Sequence, residues 1–405
     1  MQNVTAVYKK GLCSSCTLCS NYCHKHAITY RIDRLGFYEP IVDNKKCVDC
    51  AQCVKHCPGI NDLKDYGAKQ ESFCYGYSKE EEMRLNASSG GLTTELLCYL
   101  LDKKIVDYVT VVTNRMNGEF PKQILTNNTQ VVRECRTSKY CPVSWNGIIE
   151  EIENCNGRVA LIGLPCQINS VKHYYAGSKN NKIVYYISLF CNHTPSLCAA
   201  DFLARAIGRK EKLGGIMNRG NGWPGLMTVY TKSGKKGIFP FRKTWPAGYG
   251  IYFKNDRCYL CNDPFAKAAD IVMGDAYFLQ NTDTKGSTFA IVRNPKLKVI
   301  LNEMRKEDII ALQDGPSEET VKKYFCELFE REDEFQLKNA VYEKLNGVKI
   351  LSTIEGKSWY HTGDIPRFSL QLFKNKLGKY RFLWGLMIIR HHLKKMMSLE
   401  SKSTY

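Results

Sequence analysis

Two runs of cysteines near the start of the 405-residue chain constrain its fold more than any other feature. The first run, Cys13 to Cys23, and the second run, Cys47 to Cys57, have the same spacing, C-x2-C-x2-C-x3-C, and start 34 residues apart. Zinc sites use CxxC pairs separated by a longer loop. Three cysteines at two-residue gaps instead bind three corners of a 4Fe–4S cluster, and the fourth cysteine serves the other cluster. The repeat therefore predicts two clusters, one on Cys13, Cys16, Cys19 and Cys57 and the other on Cys23, Cys47, Cys50 and Cys53.

The segment between the two runs alternates apolar and polar residues on both sides of Gly36, which is typical of short antiparallel strands. Strands and cysteines together resemble a bacterial-type two-cluster ferredoxin domain, which we expect at residues 1–65 as an α+β, ferredoxin-like unit. The second run ends Cys57-Pro58, whereas His24 follows the first run. The histidine changes one turn and no ligand.

Composition narrows the class of protein. The chain has nineteen cysteines, an odd number that is mostly clustered, so metal ligation is favoured over disulfides. Its start has no signal-peptide-like apolar run, and no stretch of about eighteen apolar residues occurs. We therefore expect a cytoplasmic protein. The net charge of +18 suggests an acidic partner, but no nucleic-acid-binding motif supports nucleic acid.

After a linker, residues 71–310 alternate β-branched runs with helical stretches. Strands at Arg158–Gly163 and Lys182–Phe190 flank a helix at Gln167–Tyr175, and a further helix is predicted at Thr194–Ile207 with Thr194 as its N-cap. This alternation predicts an α/β core with a mixed, largely parallel sheet. Residues 311–405 are expected to form a helical, basic C-terminal extension.

Four more cysteines are placed at structurally related positions. Cys166 follows one predicted strand and Cys191 ends the next, and the carboxyl ends of neighbouring parallel strands face the same crevice. Cys258 and Cys261 form a CxxC pair that could complete four ligands. From the residues alone, a zinc site or unrelated buried cysteines remain open as alternatives.

The stretch Ser88–Lys103 predicts a helix that starts with serine and glycine. Free amides and the helix dipole make such a start suitable for phosphate, although an ordinary capped helix has the same pattern.

Six motifs in order carry a resemblance to a known family, namely SSGGLTTELL, SKY, GLPCQI, LFCNH, CYLCNDPFAKAADIVMGD and GST. Over about residues 1–300 the chain resembles the family of coenzyme F420 (deazaflavin) hydrogenase/dehydrogenase β subunits. The resemblance implies an FAD-binding α/β core and a third 4Fe–4S cluster on Cys166, Cys191, Cys258 and Cys261. It also implies an FAD site formed by Ser89, Gly90, Gly91, Ser138, Lys139, Tyr140, Gly286, Ser287 and Thr288.

Three residues are candidates for a catalytic role. Lys139 could place positive charge on a phosphate or near the flavin ring. His193 could deliver a proton, or it could cap a loop. Asp275, at the end of a predicted strand, could contact flavin or substrate, or it could cap a turn.

The resemblance implies an iron–sulfur flavoprotein oxidoreductase that exchanges electrons between a ferredoxin-type donor, or the deazaflavin coenzyme, and a second substrate. Relatives in bacteria accompany cell-surface polysaccharide genes, which implies that context. The alternative is a non-catalytic electron-transfer subunit that serves a partner enzyme.

The tail Phe368–Met397 mixes large apolar residues with Lys and Arg at helical spacing. It predicts a basic amphipathic helix that either contacts the inner face of the membrane or packs on the protein's own core.

Overall fold

Strands and short helices alternate along the described chain, which covers residues 3–61, 70–347 and 364–400 of a computed structural model. The strands are β1 Ile28–Ile32, β2 Tyr38–Val42, β3 Ser72–Ser78, β4 Tyr108–Val112, β5 Gln123–Thr126, β6 Val159–Gly163, β7 Ile183–Leu189, β8 Leu213–Met217, β9 Leu226–Thr231, β10 Lys236–Pro240, β11 Ile271–Asp275, β12 Thr288–Val292, β13 Ile310–Asp314 and β14 Ser398–Glu400. The α-helices are α1 Val4–Lys9, α2 Gln52–Lys55, α3 Glu81–Asn86, α4 Leu92–Asp102, α5 Thr129–Glu134, α6 Ile148–Asn154, α7 Pro165–Tyr174, α8 Cys198–Ile207, α9 Phe241–Thr244, α10 Pro295–Lys306, α11 Glu318–Tyr324, α12 Cys326–Asp333, α13 Phe335–Asn346, α14 Asp364–Leu377, α15 Trp384–Arg390 and α16 Leu393–Met396.

An eight-stranded sheet in the order β13-β3-β12-β11-β7-β6-β4-β5 forms the centre of the fold. Strands β4, β6, β7 and β11 pair in parallel, while β5, β12 and β13 are antiparallel to their neighbours. Since β3 pairs antiparallel with β12, five strands run in one direction and three in the other. The predicted mixed α/β core is confirmed.

Alternate residues of the central strands enter apolar clusters on opposite faces of this sheet. In β6, Val159 and Leu161 join one cluster and Ala160 joins the other. The strands are therefore buried on both faces, which is why they read as continuous apolar runs rather than as an alternating pattern.

The β6–α7–β7 unit brings the ends of two parallel strands to one edge of the sheet. Cys166 lies in the first turn of α7, and Cys191 lies two residues beyond β7. Strand β11, which pairs with β7, ends at Asp275 on this edge. The sheet topology thus places Cys166, Cys191 and Asp275 at the same edge of the sheet.

The N-terminal segment contains the predicted antiparallel strands. Strands β1 and β2 pair with Ile28 opposite Val42, and the turn between them includes Gly36 at φ +79°. The segment is tied to α7 by a hydrogen bond of 2.8 Å between Tyr22 Oη and Ser170 Oγ, and Ser170 Oγ donates to His56 O at 2.7 Å.

Strands β8–β10 and β14 form a separate four-stranded sheet, against which α8 packs. The prediction for α8 is wrong at its start, because the helix begins at Cys198 rather than at Thr194. Pro195 instead forms a β-bridge with Lys254. The Thr194 amide donates to Cys258 Sγ at 3.5 Å and does not cap the helix.

The prediction of one helix at Phe368–Met397 is also wrong, because the segment is divided into α14, α15 and α16. The chain turns at Gly378, where a Cβ would lie 1.8 Å from Tyr252 O, and again at His392, which has φ +50°. Trp384 and Leu393 are buried in the cluster beneath α8. Among the described helices, none has the length and apolar character needed to cross a membrane.

Candidate functional site

The first predicted cysteine set surrounds one cavity. Cys13, Cys16, Cys19 and Cys57 line it together with tyrosine and proline side chains. Burial, followed by repulsion from Cys16, raises the pKa of the Cys57 thiol to about 12. The four sulfur atoms therefore share a small, largely apolar space.

The second predicted set surrounds a different cavity, lined by Cys23, Cys47, Cys50 and Cys53. Burial raises the pKa of the Cys53 thiol, and the other three cysteines of the set raise it further. Cys50 is exposed, so this cavity lies nearer to solvent than the first one. Cys57 of the second run thus lines the first cavity, and Cys23 of the first run lines the second cavity.

The backbone repeats along with the cysteines. Ser15 and Thr17 have φ of +60° and +58°, and their equivalents 34 residues later, Asp49 and Ala51, have +51° and +57°. Such left-handed conformations are uncommon outside glycine, and they curl the chain tightly between the cysteines. The Ser15 amide thereby donates to Cys13 Sγ at 3.4 Å. Both runs therefore curl the chain in the same way around the space that their cysteines line.

The third set assembles from separate elements. The pKa of the Cys166 thiol is raised well above its ordinary value, first by burial and then by repulsion from Cys191, Cys16, Cys261 and Cys258. These four thiols therefore lie near Cys166, and one of them belongs to the first N-terminal set. The first and third sets are neighbours.

The three cysteine sets could hold either single metal ions or iron–sulfur clusters. No three His, Cys, Asp or Glu side chains among the described residues are grouped closely enough for a single metal ion. Ligands of one Zn²⁺ all lie about 2.3 Å from it, whereas each cysteine of a 4Fe–4S cluster binds a different iron atom. Four cysteine thiols in each set are the donors that a 4Fe–4S cluster takes.

Two buried arginines hold the cysteine loops in place. Arg257 donates to Gly59 O at 2.7 Å and to Pro58 O at 3.3 Å, which ties the CxxC loop to the residues after Cys57. Arg331 of α12 donates to Cys191 O at 3.2 Å and to Cys258 O at 2.8 Å. Sequence reasoning missed both residues. Arg257 precedes Cys258 directly, but no sequence signal marks Arg331.

Of the three segments expected at FAD, two loops, at residues 89–91 and 286–288, touch each other. Gly90 and Gly286 approach so closely that a Cβ on Gly90 would lie 2.5 Å from Gly286 O. The hydroxyl of Thr288 donates to Ser89 O, and that of Ser287 donates to Asp283 at 2.6 Å. Glycine at positions 90 and 286 thus allows the two loops to pack against each other.

Helix α4 begins beside these loops without a side-chain cap. Its N-cap is Gly91, with φ +82°. Ser138 of the SKY motif joins the same region, since its amide donates to Ser88 Oγ at 2.8 Å. The amides of an uncapped helix start are available to an anion, such as the pyrophosphate of a dinucleotide.

A buried ion pair lies at the end of β11. Arg219 Nη1 donates to Asp275 Oδ2 at 3.0 Å and to Tyr140 Oη at 3.3 Å, and Ser89 Oγ donates to Asp275. Burial is the largest influence and lowers the pKa of the Arg219 guanidinium, but Asp275 and Tyr140 together outweigh burial and raise that pKa. Arg219 Nε and Trp223 Nε1 are buried and have no hydrogen-bond partner among the described residues. The predictions did not include Arg219, although its loop resembles a family loop.

His193 is linked through the ring of Trp245 to Tyr140, which contacts the Arg219–Asp275 ion pair. Its ring is 5.0 Å from that of Trp245, whose ring is in turn 4.9 Å from that of Tyr140. Burial lowers the pKa of His193 well below its ordinary value, and its Nε2 atom has no hydrogen-bond partner among the described residues. Nε2 therefore caps no loop among the described residues, and both roles of His193 stay predictions.

Lys139 is directed to the end of α5. Its ammonium donates to the carbonyls of Cys135, at 2.5 Å, and of Arg136 and Thr137, each at 2.8 Å. Burial lowers the pKa of Lys139 to about 8. All three protons of the ammonium are used in the loop, so the structure gives Lys139 a role in shaping the SKY motif.

Two family models match the chain. Residues 73–150 match the model of the N-terminal part of the coenzyme F420 hydrogenase/dehydrogenase beta subunit, and residues 156–318 match the model of its C-terminal part. The chain belongs to the family of coenzyme F420 hydrogenase/dehydrogenase β subunits. The matched residues include the third cysteine set and the Arg219–Asp275 pair. Arg331 and both N-terminal cysteine runs lie outside the matched residues.

Individual relatives agree with the family. The F(420)H(2) dehydrogenase of Methanosarcina mazei has an F subunit that is 23% identical over 67% of this chain and 77% of its own. An uncharacterized protein of Methanocaldococcus jannaschii is 28% identical over 61% of this chain and 89% of its own. The coenzyme F420-dependent sulfite reductase of that organism is 25% identical over 46% of this chain, but only 31% of its own length is covered.

A solved structure shares the fold. A chain of the F420-reducing [NiFe] hydrogenase complex from Methanosarcina barkeri superimposes with a TM-score of 0.53 and 18% identity. The match covers 72% of this chain and 98% of that chain. Membership of this family of β subunits supports an oxidoreductase role in electron transfer.

Proposed function

We propose that this chain is an iron–sulfur flavoprotein oxidoreductase with three 4Fe–4S clusters and FAD. Electrons would pass between a low-potential donor and a second substrate. Reduced ferredoxin is the donor that we favour, and the deazaflavin coenzyme named in the relatives is the other candidate. As the biological setting we propose cell-surface polysaccharide metabolism, which a deletion strain would test through the composition of its polysaccharide.

One observation carries the proposal. Two cavities are each lined by four cysteines from both runs, and Cys166 of the third set lies near enough to Cys16 of the first set for the charge of Cys16 to raise its pKa. A row of three thiol sets that starts near solvent and ends at one edge of the central sheet suits stepwise electron transfer.

The flavin end of this row is supported by the polar groups at the sheet edge. The uncapped start of α4 would hold the pyrophosphate, and the unpartnered Arg219 Nε and Trp223 Nε1 would face the cofactor. Asp275 and Tyr140 would orient the Arg219 guanidinium. Clusters supply one-electron carriers, and a flavin supplies the exchange between one-electron and two-electron chemistry.

The residues around the proposed flavin have distinct tasks. His193 would remain neutral behind Trp245, since burial disfavours its charged form. Lys139 would fix the SKY loop through three carbonyls rather than contact the ring. Of the three catalytic candidates, Asp275 is then the one that would lie close to the cofactor.

Cofactor content tests the proposal. We expect anaerobically purified protein to contain about twelve iron atoms and one flavin per chain. Cys166→Ser should lower the iron content to about eight atoms, whereas Cys198→Ser, a buried cysteine outside the three sets, should leave it unchanged. Eight iron atoms in the parent protein would remove the third cluster, and protein without flavin would refute the flavoprotein assignment.

The alternative is an electron-transfer subunit whose chemistry resides in a partner enzyme. It is favoured by relatives that are named as subunits, including the β subunit of coenzyme F420 hydrogenase from Methanosarcina barkeri. Copurification of a tagged chain from its own host distinguishes the two. A stoichiometric partner without which no acceptor is reduced would favour the subunit.

A further inference from the structure

Helix α15 is apolar on both of its faces. Trp384, Met387 and Ile388 are buried against the core, with exposures of 1%, 6% and 5%. Leu386 and Ile389, on the other face, are 67% and 71% exposed. A helix that is apolar all round is normally covered on all sides.

The exposed face continues into the turn before the helix. Phe382 is 79% exposed, and its spacing from Leu386 and Ile389, i, i+4 and i+7, places the three on one stripe. The ring of Tyr380 lies 5.8 Å from that of Phe382 and is 52% exposed. We call these four residues the C-terminal stripe.

Exposed apolar residues are concentrated here. Of the fifteen large apolar side chains exposed among the described residues, seven lie between positions 365 and 389. Single exposed residues are ordinary, but a continuous group marks a surface that binds something. The stripe is also held firmly, since α15 packs on α8, and β14, which follows α16, pairs with β10.

The charge around the stripe indicates its partner. Residues 364–400 contain eight Lys and Arg but only two acids. Lys374, Arg390 and Lys395 are exposed, and none forms an ion pair with a described residue. A second copy of the chain would bring two such positive surfaces together and repel. Apolar side chains flanked by cations instead match an anionic lipid surface.

We propose that the C-terminal stripe docks this protein on an anionic lipid bilayer. The large side chains of the stripe enter the acyl boundary, while Arg390 and Lys395 contact lipid headgroups. This differs from the expected single amphipathic helix, because the inner face of α15 is already occupied by the core. Docking goes beyond the proposed redox function and does not depend on it.

Sedimentation with vesicles tests the proposal. We expect the full chain to sediment with vesicles that contain phosphatidylglycerol and to remain in solution with neutral phosphatidylcholine vesicles, with binding that weakens as salt is added. The triple variant Phe382→Ser, Leu386→Ser, Ile389→Ser should lower the partition coefficient about tenfold or more. A second variant, Arg390→Gln with Lys395→Gln, should reduce binding to anionic vesicles by a smaller factor.

A matched control substitutes exposed apolar residues elsewhere, Phe120→Ser and Val299→Ser, and should bind like the parent. Iron content and circular dichroism report whether each variant is folded. The proposal is overturned if the parent does not bind anionic vesicles, or if the stripe variant binds as well as the control. It is also overturned if the stripe instead mediates a concentration-dependent dimer in sedimentation velocity.

Discussion

Replacing Arg331 with methionine should remove the proposed cluster of the third cysteine set while the two proposed N-terminal clusters remain. Arg331 is 7% exposed, and its guanidinium joins Cys191 O to Cys258 O. Methionine keeps much of the length and apolar contact but donates no hydrogen bond. The loops that carry the third set would then lose the link through Arg331 and would be joined only by weaker contacts, such as the bond from the Thr194 amide to Cys258 Sγ.

The magnitude follows from the bonds that are lost. A hydrogen bond from a charged donor contributes about 1.5 kcal/mol or more, so the two bonds to Cys191 and Cys258 amount to about 3 kcal/mol. This corresponds to roughly a hundredfold shift toward separated loops. With the proposed clusters in place, iron per chain should fall from about twelve atoms toward about eight.

Iron analysis and electron paramagnetic resonance of the reduced protein measure the effect. Arg331→Lys, which keeps the charge, should retain part of the third signal. The control Arg158→Met removes an exposed arginine that also donates to a backbone carbonyl, and it should leave all signals intact. Full iron content and unchanged signals in Arg331→Met would refute the positioning role.

Three further predictions concern the rest of the site. Cys50→Ser should remove the solvent-facing cluster and about four iron atoms, and it should slow reduction by a protein donor more than reduction by dithionite. Asp275→Asn should lower flavin content by weakening the hold on Arg219, with iron unchanged, so a flavin-replete variant would contradict the site. For Lys139, the folded pKa of about 8 lies below the ordinary 10.5, so the folded state binds fewer protons between these values and stability should rise with pH across them. Chemical unfolding should show this rise in the parent but not in Lys139→Met.

Local sequence signals predicted the parts of the structure that depend on local chemistry. The cysteine spacing led to the two N-terminal sets, because ligand geometry is encoded over a few residues. The apolar runs around Cys166 and Cys191 led to neighbouring strands, because a helical crossover joins parallel neighbours. These inferences needed no information from distant residues.

Long-range contacts were not predictable in this way. Arg331 lies 140 residues from Cys191 in sequence, and nothing in its neighbours indicates the carbonyls that it meets. The tail was predicted as one helix because its pattern is helical, but close packing of Gly378 against Tyr252 breaks it. Lys139 was assigned to the flavin site by the family resemblance, and nothing in the sequence indicates the nearby carbonyls that its ammonium contacts.

The exposure of the cysteine sets has a consequence for handling the protein. Cys50 reaches the surface, while Cys16 and Cys57 of the neighbouring set are each 9% exposed. Dioxygen would therefore reach the outer set first, and the sets behind it would be shielded by packed tyrosines. Brief contact with air should therefore destroy the proposed outer cluster selectively. Such a sample would keep the two proposed inner clusters but would accept electrons from a protein donor more slowly.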